Sequence, residues 1–420
     1  MDFELNKEQK MLQSSFHDFL DKECPEDIVR QMEDDEKGYL PELWHKIADL
    51  GWLGLIYPEQ YGGTAGSIVD MAILYEEMGK YLFPSPHLST VVLSGLPILY
   101  AGSEEQKADL LPKIAQGNLI VALALTEPQT SWDGKAWDPE GVTVSAVADG
   151  DDYVITGTKL FVYDAQAADL LLCVARTKEA PQGGITLFLV DATSTGISST
   201  TLRTTASDRR ESEVVFDAVR VPKSNIVGEL NAGWEPLEKA MQIGRVLLSA
   251  QLVGGADTAL KEALDYAKTR IQFDMPIGVH NWIQEYCIWL KADVESCRML
   301  VYETAWMLDE GLPCETEVSM TKAQANEAIQ DALWRAHQVL AGVGFCTQDG
   351  ILPLITKRSL PAYHYLGDTD YHLERIAAQI EKWPPPEKPQ GKPLGIFDTP
   401  EDLQVPAWDV WRDQTKGKLW

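Results

Sequence analysis

Two short polar segments stand where apolar runs end, and their residue types suit ligand contact. Thr126-Glu127-Pro128 closes the run Leu119–Leu125, and Thr156-Gly157-Thr158-Lys159-Leu160-Phe161-Val162 follows 28 residues after Pro128. A hydroxyl and backbone amides at the exit of a buried strand suit hydrogen bonds to a planar heteroaromatic ligand. The plainer readings are a strand ended by proline and a hairpin turn feeding a core strand. A third segment, Gly367-Asp368-Thr369-Asp370, precedes the helical pattern Tyr371-His372-Leu373-Glu374-Arg375. There Asp368 is placed to cap a helix, and a capping carboxylate is ionised and a weak base. The six cysteines form no CxxC pair, and the seven histidines form no HxxxH or HxxE cluster, so a metal site finds no support.

Composition limits what these segments can serve. The chain has 420 residues, 45% hydrophobic and 24% charged, with 64 Asp and Glu against 36 Lys and Arg for a net charge of −28. A globular chain so acidic repels nucleic-acid backbones and anionic lipid, which leaves anions only local basic pockets. No run reaches the ~18 apolar residues of a membrane span. The start MDFELNKEQK carries charge where a signal peptide needs an apolar core. With unpaired cysteines, these features predict a soluble, cytoplasmic protein.

Around the segments, the periodicity changes twice. Helical spacing is predicted after Asn6, from Pro41 to Leu50, from about Ser67 to Lys80, and over 104–116. From Leu119 to about Val227 short β-rich runs take over, at Val142–Val147, Tyr153–Ile155, Leu170–Ala175, Ile185–Val190 and Glu213–Phe216. They predict an antiparallel barrel or sandwich, and no GxGxxG follows a strand. Helices return at 234–268, 280–309, 317–343 and 369–382. The chain then reads WPPPEKPQGKP, an extended arm in which Trp408, Trp411 and Trp420 suit packing on a partner subunit or a groove. The expected organisation is a helical domain over 1–120, a β domain over 121–233, a helical bundle over 234–385 and an arm over 386–420.

The ordered set LTEP, ITGTKLFV, ADLLLCVART, GITLFLVD, FDAVRVPKSNIVGELNAGW, YAKTRIQFDMPIG and HQVLAGVGF resembles the acyl-CoA dehydrogenase family, as does LPELWHKIADLGWLGLIYPEQYGG near the start. The resemblance extends from residue 1 to about 382. It implies an α+β fold with an N-terminal helical domain, a central β domain and a C-terminal four-helix bundle. It also implies an FAD flavoenzyme, usually a tetramer built from dimers, that oxidises an acyl-CoA thioester at Cα–Cβ and passes electrons to an electron-transfer flavoprotein. Carried over by position, Leu125 and Thr126 would lie along the flavin ring and Phe161 would take the place of a tryptophan against it. Tyr163 stands where a threonine or serine usually bonds the flavin, although a phenol is far longer than a hydroxymethyl group. Arg270 matches the arginine that reaches the FAD pyrophosphate of the neighbouring subunit, a good use for a bidentate cation in an acidic protein. Phe273 matches the aromatic beside the adenine, Asn281 a common glutamine contact, and Gln338 and Gly342 a segment where backbone approaches the cofactor. Arg245 matches an arginine on the substrate side.

The chemistry requires a carboxylate over the substrate α-carbon, the β-hydrogen near the flavin, and a polarised thioester carbonyl. Relatives carry that base in a Tyr-Glu-Gly setting, where this chain has Tyr365-Leu366-Gly367, or on an earlier helix before an arginine, where it has Gly244-Arg245. Neither glutamate is present. Counted back from Arg375, the register instead puts Asp368 at the base position. Three readings follow. Asp368 is a shorter base, suited to a bulky or cyclic acyl group. Alternatively, the chain is the base-lacking half of a heteromer with a sister subunit or a non-catalytic partner that binds the CoA thioester, or the fold serves another flavin-dependent thioester reaction with an unusual base such as Asp370 or His364. Gly244 and Leu366 predict an apolar, roomier pocket for branched, alicyclic, aromatic or steroid-derived acyl groups.

Overall fold

The computed structural model describes residues 4–33, 35–130, 135–178, 183–204, 211–346 and 350–382. The predicted arm lies outside them. Contacts divide the chain at Ile376, and the account below concerns the unit up to that residue.

Besides two short 3-10 turns, seven helical segments come first among the described residues. They are α1 (Lys7–Glu23), α2 (Glu26–Gln31), α3 (Pro41–Asp49), α4 (Ile68–Lys80), a π-helical stretch over Leu88–Gly95, α5 (Leu96–Ala101) and α6 (Glu104–Ala115). The starts follow local chemistry. Asn6, Ser67 and Ser103 each accept from the amide three residues on, while Gln9, Asp70 and Gln106 bond back. These reciprocal caps satisfy amides that the first turn leaves open.

The middle of the chain gives β1 (Val121–Ala124), β2 (Ser145–Asp149), β3 (Asp152–Tyr163), β4 (Leu170–Arg176), β5 (Ile185–Asp191), β6 (Ile197–Thr201), β7 (Glu211–Pro222) and β8 (Ile226–Val227). Their order is β6-β7-β3-β2-β4-β5-β8, with β1 added beside β4. Of the two predicted β forms, the barrel is not formed. The sheet stays open among the described residues and is sandwich-like. Nor is it wholly antiparallel, because β1 runs parallel to β4 with Val121 opposite Leu170 and Ala124 opposite Cys173. Alternation sorts the strands into two cores. Val121, Leu123, Leu172, Val174, Ile185, Leu187 and Leu189 join the helices in one large core. Ala122, Ala124, Cys173, Phe188, Phe216 and Val219 form a second core within the sheet.

The bundle follows, with α7 (Trp234–Thr269), a tight hairpin of β9 (Ile271–Gln272) and β10 (Met275–Pro276), α8 (Asn281–Asp309), α9 (Glu315–Leu340), α10 (Leu352–His364) and α11 (Thr369–Ile380). Helices α8 and α9 run antiparallel, since Tyr286 meets Trp334 at 5.8 Å between ring centres and Thr304 bonds Thr321 at 2.7 Å. No described helix is long and apolar enough to cross a membrane.

Candidate active site

The two polar segments of the β region are bonded to each other. The Thr126 hydroxyl donates to the Leu160 carbonyl, and the Leu160 amide returns a 2.8 Å bond to the Thr126 carbonyl. Glu127 is fully buried. Its carboxylate accepts from the amides of Thr143 and Val144 and pairs at 2.7 Å with the equally buried Lys159, whose ammonium also reaches the Leu125 carbonyl at 2.9 Å. Burial pushes the Glu127 carboxyl up, but Lys159 and the hydrogen bonds outweigh it and hold the group below the usual carboxylate range. Sequence reading took Glu127 and Lys159 as parts of turns. The available signal was one acid and one base, each bordering an apolar run, because such charges are almost never buried unpaired.

Beyond Lys159 the pairing of β3 with β7 slips, and Phe161 takes a left-handed φ of 54° at the irregularity. This bulge re-aims the strand end. Tyr163 is 3% exposed and packs edge-on against Tyr365, with ring centres 4.2 Å apart. Trp137 adds a second edge contact to Tyr365 at 5.1 Å.

Tyr365 opens the turn between α10 and α11, where Leu366 has φ 64° and Gly367 φ 112°. A left-handed leucine is strained by roughly 1–2 kcal/mol, so surrounding groups must hold it. The Leu366 carbonyl accepts from Arg245 Nε at 3.1 Å and His372 Nε2 at 3.2 Å. The Gly367 carbonyl accepts from Lys322 Nζ at 3.2 Å, and Lys322 also bonds Asn326 and the carbonyls of Ala362 and Tyr363. Because a carbonyl only accepts, His372 carries its proton on Nε2 and leaves a lone pair on Nδ1. Burial first, then the charges of Arg245, Lys322 and Arg375, lower its pKa to about 2. Arg245 pairs with Glu238 at 2.9 Å. Its Nη2, Glu238 Oε2 and His372 Nδ1 are buried with no hydrogen-bond partner among the described residues.

Asp368 is half-buried at the start of α11. Its Oδ1 accepts from the Tyr371 amide at 2.9 Å, and its carbonyl accepts from the His372 amide. Those are the bonds of a helix cap. Two residues earlier, Leu366 is fully buried against Gly244. A methyl group added at Gly244 would stand 2.9 Å from both Leu366 Cδ1 and Leu93 Cδ2. The room expected at Gly244 is therefore absent, because the two leucines occupy it. Leu93 comes from the π-helical stretch, for which sequence reading offered no element. Its signal was an apolar run without periodicity, the mark of a segment buried all round.

The remaining candidates lie elsewhere. Arg245 and Arg270 are separated by 25 residues of α7 and its cap, about 37 Å at roughly 1.5 Å per residue. Arg270 is exposed and has no ion pair among the described residues. Phe273, in the hairpin, is 84% exposed at φ 52°. Asn281 begins α8, and Gln338 and Gly342 sit at the end of α9. The antiparallel pairing brings those two helix ends together, and nothing lies within 4 Å of a methyl group placed at Gly342. Thus Leu125, Thr126, Phe161, Tyr163, Arg245 and Asp368 belong to one end of α7, and the other five candidates to the opposite end. Among the described residues, no group of three or more His, Cys, Asp or Glu could hold a metal.

The sequence matches three described domains in order. They are the N-terminal acyl-CoA dehydrogenase domain over 6–118, the middle domain over 122–219 and the C-terminal domain over 231–381. The chain belongs to the acyl-CoA dehydrogenase family, whose members are oxidoreductases acting on acyl-CoA. It is 31% identical over 391 residues to the probable acyl-CoA dehydrogenase YngJ of Bacillus subtilis, covering 91% of this chain and all of that one. With CarC, a subunit of the caffeyl-CoA reductase–Etf complex of Acetobacterium woodii, it shares 32% over 347 residues, 81% of this chain and 89% of CarC. The solved FAD complex of PigA superposes with a TM-score of 0.83 at 26% identity, covering 91% of this chain and 99% of PigA.

Proposed function

We propose that this chain is an FAD-binding subunit of a heteromeric acyl-CoA dehydrogenase, in which a sister subunit supplies the base that takes the substrate α-proton. The observation that carries this reading is the contact of Leu366 with Gly244. The two positions where relatives place the glutamate are here apolar, and they pack on each other. The nearest carboxylate of the same turn, Asp368, caps α11. The FAD-bound likeness of PigA and the Etf-complex likeness of CarC support flavin use and transfer of electrons to an electron-transfer flavoprotein.

The residues present fit the cofactor. Arg270 is a cation without an ion pair among the described residues, Phe273 an exposed aromatic, and Gly342 leaves open backbone. With Asn281 and Gln338 they would hold the diphosphate and adenosine of a neighbouring subunit's cofactor, which makes a dimer or tetramer the working form. Leu125, Thr126 and Phe161 would face the ring. When bound, FAD supplies the acceptor for the hydride leaving the β-carbon. Arg245 and His372 fix the turn that carries Leu366, and Lys322 fixes the next carbonyl.

The test is an anaerobic flavin spectrum with straight-chain, branched, alicyclic and arylated acyl-CoAs. It compares the chain alone with the chain co-purified with a homologous subunit carrying Tyr-Glu-Gly. Bleaching only in the mixture is expected. A second reading has its own support, since Asp368 is the carboxylate of this turn closest in sequence to Leu366 and is not fully buried. On that reading the chain alone oxidises a bulky acyl-CoA with Asp368 as base. Bleaching of the chain alone that Asp368→Asn abolishes would replace the first reading with the second.

A further inference from the structure

We propose that Tyr163 and Leu366 plug this chain's own acyl slot, so that it admits no acyl chain while they are in place. The inference rests on the proposed function for where the slot lies. It concerns access, not proton transfer.

The two residues stand on opposite walls. The resemblance gives Tyr163 the place of a short hydroxyl beside the flavin, and Leu366 the place of a carboxylate over the substrate. Here the walls meet. The Tyr163 ring lies 4.2 Å from that of Tyr365, the neighbour of Leu366. Leu366 itself is packed so closely on Gly244 that one added methyl would stand 2.9 Å from its Cδ1. Leu366 is 0% exposed, Tyr163 3% and Tyr365 7%. Interiors packed to this degree hold few voids larger than a water molecule, and an acyl chain needs many.

The closure is also anchored. Leu366 holds a left-handed backbone that a leucine rarely adopts, and its carbonyl is tied to Arg245 and His372. Moving the backbone that carries the leucine breaks bonds to two fully buried donors. The plug is therefore a fixed part of the fold and not a lid.

Calorimetric titration of the full-length flavin-loaded protein with S-octyl-CoA tests this. The probe is a thioether, which has no thioester carbonyl to acidify the α-proton, so binding is read without reaction. Wild type is expected to show no saturable binding, and Tyr163→Thr/Leu366→Ala to bind at least tenfold more tightly. If the double variant does not fold, Leu366→Gly serves in its place, because glycine accepts φ 64° without strain; circular dichroism checks the fold. Binding by wild type as tight as by the variant overturns the plug. So does absence of binding by folded forms of both. The two proposals fail separately. A wild type that binds the thioether but is not bleached by thioesters loses the plug and keeps the missing base. Bleaching of wild type alone removes both.

Discussion

The two ends of α7 are built on opposite plans. Around Arg245 most polar groups are bonded inside the chain, although Arg245 Nη2, Glu238 Oε2 and His372 Nδ1 have no hydrogen-bond partner among the described residues, and Leu93 and Leu366 are fully buried. Around Arg270 the cation has no ion pair among the described residues and Phe273 is 84% exposed. Nearby on α8, Trp282 is 71% exposed and Trp289 53%. One end makes most of its bonds within a single chain, whereas the other leaves a charge and several aromatics to solvent, a ligand or another subunit. A polar group buried without a partner costs about 1–3 kcal/mol, so the bonds made at the first end hold structure and offset the cost of its three unpartnered atoms. The open end carries no such constraint, and its residues are free to serve contacts outside the chain.

That contrast breaks most readily at the buried end. Glu127→Ala leaves the Lys159 ammonium uncompensated in the core and is expected to cost about 3–5 kcal/mol in urea unfolding. Lys322→Met strips a donor from the carbonyls of Ala362, Tyr363 and Gly367, with an expected loss of about 3 kcal/mol. A loss under about 1 kcal/mol in either case would mean that the buried end is not held by these ions. His372 gives a pH signature. Its folded pKa lies far below its unfolded value, near 6.5, so below pH 6.5 the unfolded chain takes up a proton that the folded chain refuses. Stability from this residue falls as pH falls, by about 2 kcal/mol between pH 7 and pH 5. In His372→Gln the amide can still donate to Leu366, and the wild-type urea-unfolding free energy should fall relative to the variant's by that amount from pH 7 to pH 5. Parallel midpoints would show that His372 already titrates normally in the folded chain.

How much of this the sequence carries differs between the ends. The open end was readable as a set, because Arg270, Phe273, Asn281, Gln338 and Gly342 follow motifs, and helix periodicity placed α7, α8 and α9 within a few residues. The helix caps at Asn6 and Ser67 were equally local. At the buried end the decisive facts are long-range. The pairing of Glu127 with Lys159 spans 32 residues, and the Lys322 bond to Gly367 spans 45. Whether Gly244 leaves space depends on Leu93 and Leu366, neither of which its own neighbourhood names. Pattern reading also offered no helix for α10, which carries Pro353 in its first turn, where a proline needs no amide partner, and Pro361 in its last. The parallel pairing of β1 with β4 has no local signature at all.

The smallest effect on folding is expected at the open end, and it sharpens the contrast most. Arg270→Ala removes an exposed charge with no ion pair among the described residues, so urea unfolding should change by no more than about 0.5 kcal/mol. If that guanidinium holds a neighbouring subunit's FAD diphosphate, the same substitution removes a charge-assisted pair and the purified protein should lose flavin, read as a lower ratio of visible to ultraviolet absorbance. Arg270→Lys keeps the charge but not the two-pronged geometry and should restore flavin only in part. Unchanged flavin content with unchanged stability would mean that the exposed end of α7 plays no part in cofactor binding, and its uncovered aromatics would then need a different partner. Lost stability with retained flavin would show instead that Arg270 belongs to the fold, and the division between a closed and an open end would no longer hold.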